Sequence, residues 1–316
     1  MHKIKIEKMI PEHIPQALTI WENQLERFCS DNDAYRYWCN DEEVIDYIQA
    51  HVMNDRAVIA LVDDAIVGYM AYDAFIFHGA PSVFVPYVGN ATILDNRKDI
   101  YQAMYSDLAK IWVQKGFKNH YATVACSDDE VISTLYNLGF GSYLIDAYAS
   151  LKKSNCVLPN DILIRKATPV DLIALSALVK ESESYYAESP TFLIREDFSV
   201  QALSNLVDKG CVLIAEHLGN LVGFINISIN DENNVICMSK EKFAMLDEIG
   251  AYIVQDYRGR GIGKRFVEEV ATFCSVNNLP CAHVDYETAN PYANYFWKKY
   301  FKPALLSVKR TIHDDN

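Results

Sequence analysis

Three short segments of this 316-residue chain recur in the same order at an offset of 155–161 residues. Ile4-Lys5-Ile6-Glu7-Lys8, followed by Pro11, matches Ile162-Leu163-Ile164-Arg165-Lys166, followed by Pro169. Ala65-Ile66-Val67-Gly68-Tyr69 matches Asn220-Leu221-Val222-Gly223-Phe224, and Gly139-Phe140 matches Tyr300-Phe301. One such match arises easily by chance; three in register do not, so one fold is expected twice. Each copy then has an ordinary domain's length, enough to bury its own core. The expected boundaries are 1–155 and 160–316, joined by the polar stretch 152–161 around Pro159.

The second copy gives the clearer element order. A strand at 162–166 leads into a helix from Pro169, a residue suited to the first helical position. A second helix is expected over 197–208, then hairpin strands 211–217 and 221–229 around the turn Leu218-Gly219-Asn220. A long strand over 246–254, a helix over 261–277, a strand over 281–286, a helix over 291–299 and a terminal hairpin near 303–312 complete the order β-α-α-β-β-β-α-β-α-β-β.

Between the long strand and the helix lies Arg258-Gly259-Arg260-Gly261-Ile262-Gly263-Lys264. A glycine-rich turn at a helix N-terminus exposes backbone N–H groups where the helix dipole favours an anion. Glycine also permits positive φ and close approach of a bulky group. The nucleoside-triphosphate loop G-x-x-x-x-G-K-[ST] is excluded, because the chain has Arg258 and Arg265 where glycine and a hydroxyl are needed. The dinucleotide fingerprint G-x-G-x-x-G is excluded by the spacing of Gly259, Gly261 and Gly263.

The string resembles the acetyl-CoA loop of the GNAT acetyltransferase superfamily, [QR]-x-x-G-x-[GA], read as Arg258 to Gly263 with Gln255-Asp256-Tyr257 as lead-in. Downstream, Asn290-Pro291-Tyr292-Ala293-Asn294-Tyr295-Phe296-Trp297 resembles that family's N-x-x-A-x-x-[LF]-Y helix start. The resemblance covers about 160–312. It implies a mixed α/β fold: two tandem acyl-CoA N-acyltransferase domains, each a mostly antiparallel twisted sheet flanked by helices. It implies acetyl-CoA as acyl donor, with pantetheine amides on the backbone of Ala251, Ile253 and Val254. The diphosphate is then held by Arg258, Gly259, Arg260, Gly261, Ile262, Gly263 and Lys264, with Asn290 and Trp297 beside the cofactor arm. Asn290 before Pro291 also reads as a plain helix N-cap.

The resemblance implies transfer to an amine of a small-molecule or peptide acceptor by direct attack in a ternary complex; such an amine is mostly protonated at neutral pH, so a carboxylate base is expected. Glu248 is the first candidate and Asp247 its alternative, because a β-bulge common in this strand leaves the register open. On the next strand Asp285 and Glu287 share a face by period two, and Asp285 stands where some family members carry a catalytic glutamate. The family's acid tyrosine is replaced by Trp297, or by Phe296 if counted from Phe301. Neither donates a proton to sulfur, which keeps a second reading open: an acetyl-CoA-binding sensor or scaffold without turnover. The acceptor is expected between about Glu181 and Arg195 and between Leu305 and Thr311. There Glu181, Glu183, Glu188, Tyr185 and Tyr186 suit a cation, or form an ordinary exposed helix end.

The first copy lacks the loop. No glycine occurs from Asn90 to Lys115, and the matching helix, near Arg97 to Gln114, opens on charged and bulky residues. A structural or substrate-side role without CoA is expected there. Tyr101, Tyr105 and Trp112 have helical spacing and are expected to pack. The formal net charge of −13 argues against nucleic acid and favours cationic small molecules. Eight scattered cysteines form no C-x-x-C pair and eight histidines no ligand cluster, so reduced thiols, no metal and a cytoplasmic chain are expected. No signal-like start or ~18-residue apolar run points to a membrane. The duplication is compatible with a monomer.

Overall fold

The computed structural model describes residues 3–29, 41–152, 158–159, 161–195, 198–210, 212–230 and 242–313. Most of the expected linker 152–161 lies outside the described residues. The first copy runs β1 (Lys5–Lys8), α1 (Ile14–Cys29), α2 (Asp41–Met53), β2 (Ala57–Val62), β3 (Ala65–Ala71), β4 (Asp73–Phe77), β5 (Ala80–Val85), β6 (Asn90–Thr92), α3 (Arg97–Gln114), β7 (Asn119–Ala125), α4 (Asp129–Asn137) and β8 (Gly141–Ala149). The second repeats it: β9 (Ile162–Lys166), α5 (Leu172–Ala187), α6 (Val200–Asp208), β10 (Val212–His217), β11 (Asn220–Asn226), β12 (Ser228–Asn230), β13 (Phe243–Leu246), β14 (Ala251–Ile253), α7 (Ile262–Val276), β15 (Ala282–Glu287), α8 (Pro291–Trp297) and β16 (Lys302–Thr311). The correspondence is element for element, and the fold class is the mixed, mostly antiparallel one expected.

Pairing repeats as well. β1-β2-β3-β6 and β9-β10-β11-β14 are antiparallel ladders. β5 pairs parallel with β7, and β13 parallel with β15. Even the irregularity recurs: β2 shifts register against β3 between Ala60 and Leu61, and β10 against β11 between Ala215 and Glu216.

The described residues fall into two compact units, one of those up to 146 with 303–313, the other of those from 147 to 230 with 242–302. Sequence copies and compact units are thus cut differently at their ends. The last strand belongs with the first unit, where it runs antiparallel to β7 from Leu305↔Ala125 to Thr311↔Asn119. The Thr123 and Ser307 hydroxyls meet at 2.7 Å in that ladder. The end of β8 belongs with the second unit, where the Tyr148 ring lies 4.8 Å from His283. The terminal hairpin expected near 303–312 is one ten-residue strand, buried from Ala304 to Val308, with no turn residue to break it.

In the second unit α5 and α6 lie on one face of the antiparallel ladder. Leu175, Leu178 and Val179 recur at helical spacing and meet Leu203, Leu206 and Val207 of α6, with Val212, Ile214, Phe224 and Tyr252 of the sheet. The entry to α5 is fixed by a reciprocal cap. The Asp171 carboxylate accepts from the Thr168 backbone N–H and hydroxyl, both at 2.8 Å, and from both Arg165 Nη atoms at 2.8 Å. Those bonds, the arginine's first, hold the Asp171 carboxyl well below the ordinary carboxylate range.

The long strand expected over 246–254 is broken. A turn at 247–250 separates β13 from β14, closed by Gly250 N–H to Asp247 C=O at 2.7 Å, with Glu248 at φ 56° and Gly250 at φ 65°. This break gives β13 and β14 different partners: β14 stays on β11, while β13 crosses to β15.

Candidate active site

The break sets the backbone chemistry of β14. Asn226 N–H donates to Gly250 C=O at 2.8 Å, and Val254 N–H to Val222 C=O at 3.0 Å. The Gly250 C=O, the Val254 N–H and, between them, Tyr252 therefore face β11. By the alternation of an antiparallel ladder, Ala251 and Ile253 point theirs the other way, out of the sheet's open edge. Beyond β14 the chain turns through Gln255–Tyr257 and reaches Gly259 at φ 80° and Gly261 at φ 88°. Gly261 is the N-cap of α7, so the N–H groups of Ile262, Gly263 and Lys264 have no intrahelical acceptor. Open strand edge and helix N-terminus are consecutive in the chain.

Both line one cavity of about 460 Å³, with Ala251, Ile253, Arg258, Gly259, Gly261, Gly263, Lys264, Asn290 and Trp297 in its wall. Nine of the residues singled out from the sequence thus come together. Others do not. Val254 has its N–H on Val222 and its C=O on the Tyr257 N–H at 2.9 Å, so the backbone groups assigned to pantetheine are already used. Ile262 is buried at 1% exposure, and its side chain belongs to the packing under α7. Arg260 is exposed and stacks over Tyr257 at 4.7 Å, outside the cavity wall. Arg265 turns to Glu268 and Glu269 on α7.

Asn290 is 3% exposed and does two things at once: its Oδ1 caps α8 by accepting from Ala293 N–H at 3.1 Å, and it accepts the Tyr185 hydroxyl at 3.3 Å. Asn294 Nδ2 binds the carbonyls of Glu287, Thr288 and Asn290, fixing the turn between β15 and α8. A Cβ on Gly263 would stand 2.8 Å from Cε2 and Cζ of Phe296, so that position accepts nothing larger than glycine without moving the ring. Gly259 has nothing within 4 Å of its Cβ direction, which leaves room for a bulky anion on that side of the loop.

The carboxylates sort by burial. Glu248 is exposed in the turn and is not in the cavity wall; its left-handed φ follows from the tight closure by Gly250. Asp247 is tied to Ser228 Oγ at 2.9 Å and to Asn226. On β15 Asp285 is exposed and Glu287 is 9% exposed, and the cavity wall includes neither. The charges of both reach Tyr186, which does line the cavity: burial, then Glu287, then Asp285 raise its phenol far above the ordinary range.

Sequence reasoning offered Glu181 and Tyr185 to a cation but passed over the cluster that Tyr185 forms with Tyr252 and Tyr292 around Arg258. The guanidinium lies 4.9 Å from the Tyr185 ring centroid, 5.1 Å from Tyr292 and 5.7 Å from Tyr252, while its Nε–H donates to Ile253 C=O at 3.0 Å. Tyr252 donates its hydroxyl to Glu181 at 3.0 Å; burial first, then that bond, push the phenol up to about 12. Tyr185 and Tyr292 were visible as letters, but nothing in their spacing relative to Arg258 announces a three-sided enclosure.

Residues 175–301 match the acetyltransferase (GNAT) family. This segment belongs to that family. Its fold likeness extends over 98% of the chain and so takes in both copies. A GCN5-related N-acetyltransferase from Sphaerobacter thermophilus superposes with a TM-score of 0.62 at 13% identity, over 95% of its own length. A GNAT-family acetyltransferase from Colwellia psychrerythraea gives 0.51 at 14% identity over all of its length. A GCN5-related glucosamine N-acetyltransferase region in a fungal multi-domain GH3 β-N-acetylglucosaminidase gives 0.54 at 11% identity, and there the match spans 38% of the other chain. No curated protein matches the sequence.

The first unit repeats the framework of the second but not the opening. At the place of Gly261, α3 begins after Asn96 at φ 56°. Arg97, 4% exposed, then turns inward onto Asp128, Gln24 Oε1 at 3.2 Å and the rings of Phe28 and Tyr101, both at 5.8 Å. Asp128 caps α4 through Val131 N–H at 3.3 Å, the role Asn290 has on α8. The packing role expected for Tyr101, Tyr105 and Trp112 agrees with their burial. Among the described residues no helix is long and apolar enough to cross a membrane, and no group of His, Cys, Asp and Glu is gathered to hold a metal.

Proposed function

We propose that the second unit is an acetyl-CoA-dependent N-acetyltransferase. The observation that carries this reading is the continuity of the open β14 edge with the glycine turn at the start of α7, both in one cavity wall. Ala251 and Ile253 offer N–H and C=O groups at strand spacing for the amides of a pantetheine laid alongside. The N–H groups of 262–264 and the Lys264 ammonium offer the diphosphate an electropositive seat. Bound there, acetyl-CoA supplies an activated acetyl thioester.

The chain's own residues then handle the protons. A Lys-like ammonium has a pKa of about 10.4 and must lose a proton before it attacks. We assign that proton to the Asp285–Glu287 face of β15, whose charges reach the cavity through Tyr186, and not to exposed Glu248. Trp297 and Phe296 offer no acid. Tyr300 lines the cavity with its ring 5.2 Å from Phe296, and we assign the leaving thiolate's proton to its phenol. The first unit, closed by Arg97 and Asp128, is read as a partner domain that does not bind CoA. Metal-free action on a small amine, without nucleic acid or membrane, in a cytoplasmic setting, is the corresponding picture for the whole chain.

The replacement of the acid tyrosine by Trp297 favours a second reading, an acetyl-CoA sensor without turnover. Calorimetric titration with acetyl-CoA, beside Gly261→Glu, tests the site: a stoichiometry near one, lost in the variant, is expected. Release of free thiol with a panel of amines then separates enzyme from sensor. Absence of binding to the unaltered chain refutes both.

A further inference from the structure

The enclosure formed by Tyr185, Tyr252 and Tyr292 is built like a receptor for a cation. Three ring faces stand within 4.9–5.7 Å of one guanidinium carbon, inside the distance at which a ring quadrupole holds a positive charge. Glu181 adds a carboxylate at the Tyr252 hydroxyl. The cluster is held from outside itself, since Tyr185 is anchored on Asn290 and Tyr252 sits in the sheet core at 8% exposure. Tyr292 is 61% exposed, so one wall of the enclosure opens to solvent.

Its occupant is out of place for the proposed cofactor. The Nε–H of Arg258 takes the Ile253 carbonyl, one of the few edge groups available to a pantetheine strand. Its side chain therefore lies across the groove. Arg258 also opens the glycine turn, within reach of the anion that the turn is shaped to receive. Resting on the acetyl-CoA reading above, an arriving diphosphate offers this guanidinium a stronger partner than neutral rings, because charge-assisted hydrogen bonds exceed ring contacts. Arg258 then leaves, the edge carbonyl is freed, and an empty cation cage remains beside the cofactor.

We infer that this tyrosine cage is the recognition site for a fixed positive group on the acceptor, an alkylammonium or guanidinium, and that Arg258 fills it until the cofactor binds. The group it holds is not the amine that is acetylated. The attacking nitrogen must be neutral, whereas the cage selects charge. The acceptor therefore carries at least two basic nitrogens or one permanent cation, in keeping with a chain of net charge −13. The order of addition also follows: acetyl-CoA first, acceptor second.

The test uses choline as probe and 3,3-dimethylbutan-1-ol, its uncharged isostere, as control. Binding to the full chain is followed by saturation-transfer NMR and calorimetry, with and without CoA. Arg258→Ala is expected to bind choline at least tenfold more tightly than the isostere, and Tyr185→Leu in that background to remove the preference. The unaltered chain is expected to bind choline at least tenfold more weakly than Arg258→Ala without CoA, and to approach it at saturating CoA. Arg258→Met, which keeps the apolar stem, replaces the alanine variant if that one does not fold. Equal affinity of the arginine variants for choline and its isostere overturns the cage. CoA binding that leaves choline affinity unchanged overturns the exchange. Failure of the unaltered chain to bind CoA removes the cofactor reading instead, and the choline comparison on the variants still decides the cage.

Discussion

Gly263→Ala tests how tightly the glycine turn is coupled to the cavity wall. The new methyl would lie 2.8 Å from two ring carbons of Phe296. Carbon atoms are comfortable at about 3.5–4.0 Å, so ring or helix must retreat by about 1 Å. Phe296 cannot yield freely, since it meets Trp297 at 4.8 Å and Tyr300 at 5.2 Å between ring centroids. Overpacking of this kind costs about 1–3 kcal/mol. Alanine's helix propensity returns at most about 1 kcal/mol. The steric term wins, and a net loss of about 1 kcal/mol is expected in urea unfolding. Phe296→Leu removes the clashing ring carbons, so the double variant should be more stable than the sum of the singles by about 1–2 kcal/mol, within the range seen for touching residues. Because Phe296 is also cavity wall, Gly263→Ala should weaken acetyl-CoA at least tenfold. Additive stabilities within 0.3 kcal/mol, or unchanged acetyl-CoA affinity, would refute this argument.

Three further outcomes are expected. Asp128→Ala strands the buried Arg97 charge and should cost about 3–5 kcal/mol by chemical denaturation, whereas replacing both residues by apolar ones of similar volume should recover most of it. Asp171 has its carboxyl depressed by Arg165 and the Thr168 cap, so its contribution is present above the unfolded carboxylate pKa of about 3.9 and is lost as pH falls below it. Asp171→Asn should therefore lower stability at pH 7 and flatten the acid limb of the stability–pH curve; an unchanged acid limb would count against the cap. In turnover assays Glu287→Gln or Asp285→Asn should lower kcat/KM about 10²–10⁴-fold, Glu248→Gln should leave it within twofold, and Tyr300→Phe should lower kcat with acetyl-CoA binding intact; a large effect of Glu248→Gln would move the base to the turn.

Letters and spacing carried the periodic part of this molecule. α7 is expected over 261–277 and found at Ile262–Val276, because the amphipathic run and the preceding glycines act within a few residues. β15 and α8 follow for the same reason. The break at Asp247-Glu248-Ile249-Gly250 was hidden because the residues flanking it read as one strand. Leu246 before it and Ala251 to Val254 after it read as strand on either side, and only the exchange of partners from β15 to β11 makes a turn necessary there. The fate of Val254 shows the consequence: whether a backbone group faces the neighbour or the groove depends on ladder register, which a one-residue shift inverts. The proposed base is obscured in the same way, since Asp285 and Glu287 share a face in sequence but only burial separates them. The tyrosine enclosure joins α5, β14 and α8, three distant segments with no mutual pattern.

Comparison of the two copies isolates what opens the site. Both have a short strand on the edge of an antiparallel ladder, a helix after it, and a capping residue at the start of the next helix. In the second copy the cap is Asn290, neutral and able to accept from Tyr185 while capping α8. In the first it is Asp128, and a carboxylate buried at that place requires a partner, because an unpaired buried charge is costly. Arg97 supplies it from the first turn of α3 and closes the space with its stem. Ile262, at the place of Arg97 in the second copy, packs inward as an apolar side chain and brings no charge, so closure falls to Arg258, whose rings and carbonyl form a weaker hold than a buried ion pair. Removing Asp128 and Arg97 together therefore should not create a second acetyl-CoA site: Leu94, Asn96 and Lys98 stand where the turn has Gly259, Gly261 and Gly263, and the backbone N–H groups stay screened by Cβ atoms. Calorimetry on an Arg97→Leu/Asp128→Leu double variant should still give one acetyl-CoA per chain. A stoichiometry of two would mean that the ion pair, and not the missing glycines, silenced the first copy.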